Sequence, residues 1–131
     1  MINNIPSSVN NHRILVVDDN PDSLLVMQLF LQLKGYSVQT SLNGPDALQL
    51  AQTDPPGVIL LDISMPGMDG YEVCRHLRQQ PGGVQRLVLA LTGYGQVEDI
   101  KRAYEVGFDG HFVKPVDMEA LANFLDQHSG S

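Results

Sequence analysis

Four stretches of this 131-residue chain run from apolar residues straight into a side chain that can do chemistry. Ile14 to Val17 leads into Asp18-Asp19, Val58 to Leu61 into Asp62, Leu87 to Leu91 into Thr92, and Gly110 to Val113 into Lys114. If the four ends meet, three carboxylates converge. Carboxylates at close range repel one another, and burying one without a partner is costly. A cation relieves both costs. Hard oxygen ligands select Mg²⁺ or Ca²⁺, and Mg²⁺ takes one or two carboxylates together with waters and phosphate oxygens. Lys114 adds a second positive charge and Thr92 a hydroxyl donor. Such a set suits phosphoryl transfer, in which positioning and charge stabilisation carry most of the catalysis. A carboxylate can itself be the nucleophile and form an aspartyl-phosphate. Asp62 is the candidate nucleophile, because it directly follows a fully apolar strand. Asp18 and Asp19 then hold the metal, directly or through water. The main-chain carbonyl of Ser64 completes the metal shell, and Thr92 and Lys114 bond the phosphoryl oxygens. Each residue alone has an ordinary explanation: Asp18-Asp19 as a turn, Lys114 as a solvated loop lysine, Thr92 as a strand-end hydroxyl. The four together, each closing a different strand, make that explanation weak.

The elements that must position these groups alternate strand and helix. Continuous Val/Ile/Leu runs bounded by turn residues read as strands buried on both faces. Strands are expected at Arg13–Asp18, Tyr36–Leu42, Val58–Leu61, Leu87–Leu91 and Gly110–Val113. Asn20 can cap the first helix with Pro21 at its first position, and Gly35 stops it after Lys34. A short helix follows Asn43-Gly44-Pro45 and ends before Asp54. A third starts at Asp69, where Glu72 gives a capping-box-like pattern, and ends by Pro81-Gly82-Gly83. A fourth runs from about Gln96 to Val106, and Asp117 caps a last helix reaching about Gln127. Five such units imply right-handed crossovers and a parallel sheet covered on both faces. In open sheets of this kind, ligands bind at the carboxyl ends of the strands.

Composition narrows the function. The formal charge is −7 and the pI about 4.7, so the surface repels nucleic acid and anionic membrane. A single cysteine, Cys74, excludes an internal disulfide framework and makes a reducing compartment the default. No apolar run approaches the ~20 residues of a membrane span. Residues 1–11 are polar, lack the features of a signal peptide and read as a disordered arm. Residues 129–131 read as a disordered tail, leaving 12–128 as one domain.

The carrying motifs are VVDDN (Val16 to Asn20), LLDISMPGMDG (Leu60 to Gly70), ALTGYG (Ala90 to Gly95) and GFDGHFVKPVD (Gly107 to Asp117). In this order they resemble the receiver domain of two-component response regulators, and their wording is most like receivers of hybrid sensor histidine kinases. The resemblance covers about Arg13 to Gln127. It implies a flavodoxin-like (βα)5 doubly wound parallel sheet of strand order 2-1-3-4-5. It implies a cytoplasmic signalling module rather than an enzyme, catalysing only its own phosphorylation and dephosphorylation. A phosphohistidine on a histidine kinase or a histidine phosphotransfer protein would phosphorylate Asp62 with Mg²⁺. No nucleic acid or membrane partner is implied, and a transient homodimer is. A cis bond is implied at Lys114-Pro115. So is a switch in which Thr92 shifts toward the phosphoryl and a ring three residues before the lysine turns inward, altering the face of helix four, strand five and helix five. That ring is His111 here, where many members carry Tyr or Phe. The alternative is a Mg²⁺-dependent phosphatase of the haloacid-dehalogenase type. That family's signature is Asp-x-Asp after its first strand, whereas this chain has Asp18-Asp19-Asn20 there, and no cap domain is expected. A flavin carrier on the same fold is a third option, opposed by the acidic loop after strand one.

The first helix is unusual. Ser23, Met27, Phe30, Leu31 and Lys34 share one face, while Leu25, Leu29 and Leu33 fall largely on the other, where a surface helix normally carries charge. Two explanations stand: a stripe covered by a neighbouring element, or a docking face for a partner helix.

Overall fold

The computed structural model describes residues 13–93 and 97–129. The expected arm at 1–11, the last two tail residues and the expected helix start at Gln96 lie outside them. The strands are β1 (Arg13–Val17), β2 (Ser37–Ser41), β3 (Val58–Asp62), β4 (Leu87–Thr92) and β5 (Gly110–Val113). The helices are α1 (Pro21–Leu33), α2 (Gly44–Thr53), α3 (Gly70–Gln79), α4 (Val97–Val106) and α5 (Met118–Ser129). The five strands form one parallel sheet in the order β2-β1-β3-β4-β5, as the resemblance implied.

Helices α1, α2, α3 and α5 each start where a short polar side chain satisfies the first free N–H groups. Asn20 accepts from the amides of Asp22 and Ser23, Asn43 from Asp46, Asp69 from Glu72 and Asp117 from Ala120. Gly35, at φ +98°, stops α1 in a left-handed conformation that other residues adopt only with strain. The ends of four strands shift by one residue from the sequence reading: β1 stops at Val17, β2 spans only Ser37–Ser41, and β3 and β4 take in Asp62 and Thr92. A short 3₁₀ turn at Gly83–Gln85 precedes β4 where only a turn was expected. Helix α5 also continues to Ser129, one residue into the expected tail, and His128 Nδ1 lies 2.9 Å from the Phe124 carbonyl one turn back.

The sheet splits the core in two, because strand side chains alternate between faces. On one side Leu15, Ile59, Leu61, Val88 and Ala90 pack under α2, α3 and α4. On the other Ile14, Val16, Leu60, Leu89 and Leu91 pack under α1 and α5. Burying one such aliphatic side chain stabilises by about 1.5–3 kcal/mol, so β3, buried along its whole length, is the anchor of both cores. At the amino ends of the strands, Arg78 of α3 donates to the carbonyls of Gly83, Arg86 and Gly107 and to Asp109, whose carboxylate also accepts from Val88 N–H. This brace fixes the strand ends opposite the chemistry. Helix α1 buries Leu24, Met27 and Leu31, whereas Leu25, Val26, Leu29 and Leu33 are 52%, 60%, 52% and 86% exposed. Among the described residues nothing covers that stripe. None of their helices is long and apolar enough to cross a membrane.

Candidate functional site

Parallel register brings the four strand ends to one edge of the sheet. Val17 pairs with Leu61, so Asp18 and Asp62 leave neighbouring strands at the same level. Asp62 pairs with Leu91, which puts Thr92 one step beyond it, and Thr92 pairs with Val113, which puts Lys114 one step beyond that. Oxygens of Asp18, Asp19 and Asp62 all lie within 4.8 Å of one another. Asp18 and Asp62 are buried, at 1% and 4% exposed, and Asp19 faces solvent.

Every buried oxygen of the pair has a partner. Lys114 Nζ donates to Asp18 Oδ2 at 3.0 Å and to Asp62 Oδ2 at 2.9 Å. The second oxygens are held locally: Asn20 N–H donates to Asp18 Oδ1 at 3.0 Å and Ser64 N–H to Asp62 Oδ1 at 2.9 Å. Burial pulls the Lys114 pKa down, but the hydrogen bonds it donates to Asp62 and Asp18, together with the attraction of their charges, outweigh it and raise it above the ordinary lysine value. The ammonium therefore stays charged at neutral pH. Lys114 precedes a cis proline, and its own N–H bonds the Thr92 carbonyl at 2.8 Å, which ties β5 to β4 beside the cluster. Close approach explains Gly70 as well. A Cβ there would sit 2.5 Å from Ile63 Cα and 2.7 Å from the Asp62 carbonyl, so only glycine lets α3 begin this near the strand end.

Thr92 is fully buried, and its Oγ1 has no hydrogen-bond partner among the described residues. A buried hydroxyl left unsatisfied costs about 1–3 kcal/mol, and an anion at the carboxylate edge would remove that cost. The donor set fits a hard divalent cation: clustered carboxylates at the outlet of a sheet, with one member open to solvent. Cys74 takes no part. It is fully buried, and burial, only partly opposed by the nearby Arg78 guanidinium, pushes its thiol up to about 11.

Thus Asp18, Asp19, Asp62 and Lys114 meet in one cluster, Thr92 closes the neighbouring strand, and Ser64 folds back onto Asp62. His111 lies outside the cluster. It is half-buried on β5, with Nδ1 2.9 Å from Tyr104 Oη on α4. Sequence reasoning missed the roles of the Asn20 and Ser64 amides, which are backbone groups carrying no side-chain signal. It also missed a groove of about 540 Å³ beside the site, lined by Asp18, Asp22, Val26, Met27, Lys114 and Met118 among others.

A buried aspartate at the end of the central strand, two companion carboxylates and a lysine just after the last strand of a 2-1-3-4-5 sheet are what a receiver domain brings together. The chain belongs to the response regulator receiver domain family, which it matches over residues 14–126. It is similar to the DNA-binding dual master transcriptional regulator RpaA of Synechocystis, at 35% identity over 109 residues, covering 83% of this chain and 45% of that one. The chain thus spans less than half the length of that relative. It is also similar to the sporulation initiation phosphotransferase F of Bacillus subtilis, at 29% identity over 118 residues, covering 90% and 94% of the two chains. Among solved structures, the chemotaxis protein CheY4 of Vibrio cholerae superposes with a TM-score of 0.83 at 33% identity, covering 88% of this chain and 96% of that one. The haloacid-dehalogenase alternative is not favoured by any of these matches.

If the three carboxylates hold Mg²⁺, Asp19→Ala removes one charged ligand and weakens Mg²⁺ binding by roughly tenfold or more. Calorimetric titration of the two proteins checks this; equal affinities would contradict the assignment.

Proposed function

We propose that this receiver accepts a phosphoryl group on Asp62 from a phosphohistidine of a histidine kinase or histidine phosphotransfer protein, as part of a cytoplasmic two-component phosphorelay. The observation that supports this best is the convergence of Asp62, Asp18 and the charged Lys114 on one point. Mg²⁺ would be held by Asp18, Asp19, Asp62 and the Ser64 carbonyl, and when bound it supplies charge neutralisation at the phosphoryl oxygens. The other steps belong to the chain. A carboxylate oxygen of Asp62 attacks the phosphorus, forming the O–P bond as the P–N bond to the donor imidazole breaks. The leaving electron pair goes to the imidazole nitrogen. Lys114 exchanges its two carboxylate partners for a phosphoryl oxygen, and the Thr92 hydroxyl donates to another. Thr92 and His111 act as the switch, and the face of α4, β5 and α5 changes with it and forms the transient homodimer. The module turns over only its own phosphoryl bond.

A donor must carry its histidine to this edge, and the groove beside Lys114 is the approach. Val26 lines the groove and also belongs to the exposed apolar stripe of α1. Groove and stripe therefore form one surface, suited to an apolar helix face of the donor.

Incubation with acetyl phosphate and Mg²⁺ should label the wild-type protein once, at Asp62, and should leave Asp62→Asn unlabelled in peptide mapping; full labelling of the variant would sink the assignment. A double change of Leu25→Glu and Leu29→Glu should slow phosphotransfer from the cognate donor by about tenfold or more, as loss of two apolar anchors predicts, while acetyl phosphate labelling stays the same. Unaltered transfer would show the stripe to be bare surface.

A further inference from the structure

His111 and Thr92 share a side of the sheet. Ala90 belongs to the core beneath α3 and α4, and strand alternation puts Thr92, two residues on, on the same side. His111 pairs in register with Ala90, and Val113 with Thr92, so His111 lies diagonally across from the Thr92 hydroxyl. Neighbouring strands are about 4.8 Å apart, and the side chain directly beside the imidazole is a single methyl. An inward ring would lie over Ala90, beside Thr92, where both neighbours are fully buried.

The ring is held elsewhere. Tyr104 Oη and His111 Nδ1 are 2.9 Å apart, hydrogen-bonded in either tautomer, and the rings meet edge to face with centroids 5.7 Å apart at 90°. Tyr104 is 47% exposed and His111 half-buried, so this bond fixes the imidazole at the rim, against α4. Two placements compete for the same ring. At the rim it keeps a hydrogen bond; over Ala90 it gains burial and loses that bond.

We propose that the Tyr104–His111 hydrogen bond is a latch that holds the imidazole outward against α4 and so opposes the phosphorylated state. The proposal rests on the phosphoacceptor reading of Asp62. Phosphorylation draws Thr92 away and favours the inward ring, but it must first break the latch. The latch therefore sets the resting balance between the two states, and whatever shifts that balance also shifts affinity for the phosphoryl group. Tyr104 touches no group at the reacting atoms, so the latch acts on position alone.

Tyr104→Phe removes the hydroxyl and keeps the ring, at a site exposed enough to spare the fold. Beryllofluoride in Mg²⁺ is the probe, titrated into both proteins, with the His111 ring protons followed by NMR. Removing one hydrogen bond should tighten beryllofluoride binding about fivefold, with affinity for Mg²⁺ alone unchanged. In the free variant the His111 ring signals should shift part of the way toward their bound positions. Equal beryllofluoride affinities, or His111 signals that do not move on binding in the wild type, would overturn the latch. Failure of the wild type to bind beryllofluoride at all would overturn the phosphoacceptor reading itself, and the latch with it.

Discussion

One ammonium group holds this site together. Lys114 reaches from the end of β5 to two buried carboxylates that leave β1 and β3, and a third carboxylate lies beside them. Two unit charges near 4.8 Å repel by a few kcal/mol at the effective dielectric of a protein surface. Three such carboxylates would drive the strand ends apart without a counter-charge. Lys114 supplies one charge against three, which leaves the cluster short of positive charge and ready for a cation. A divalent cation would bring the positive charges to three against three, and a phosphoryl group would then meet both the cation and the lysine.

The geometry follows from the parallel sheet rather than from any loop. Because β3 is central and buried on both faces, its end cannot drift, and the register fixes Asp18, Thr92 and Lys114 against it in steps of one residue. The Asn20 and Ser64 amides then turn the two buried carboxylates so that one oxygen of each is spent locally and the other faces Lys114. Asn20 does two jobs, since its side chain also caps α1. The first helix is thereby positioned by the same turn that positions the site, which puts its exposed apolar stripe beside the groove.

Much of this was legible in the residues. Apolar runs ending in Asp62 and Asp18, with glycine, proline and asparagine between them, are local signals, and the structure realises each as a strand, turn or cap. The order of the strands was not local; it came from the resemblance carried by the motifs around Asp62 and Lys114. What stayed hidden depends on residues far apart in the chain. The Arg78 brace joins α3 to Gly107 and Asp109, and the Tyr104–His111 pair joins α4 to β5. Neither has a spacing that announces it. Periodicity sorted the faces of α1 correctly but could not say whether the outer one was covered, which only the packing decides.

The central claim is that repulsion among Asp18, Asp19 and Asp62 is held in the resting fold and relieved by a cation. It is tested most directly by thermal unfolding of the wild type and Asp62→Asn, each with and without Mg²⁺. Removing one charge from the cluster should raise Tm in metal-free buffer by about 3–8 °C, the shift worth one to two kcal/mol in a domain of this size. Mg²⁺ should raise the wild-type Tm clearly and that of the variant much less. A metal-free variant that melts below the wild type, or that gains as much from Mg²⁺, would contradict the claim.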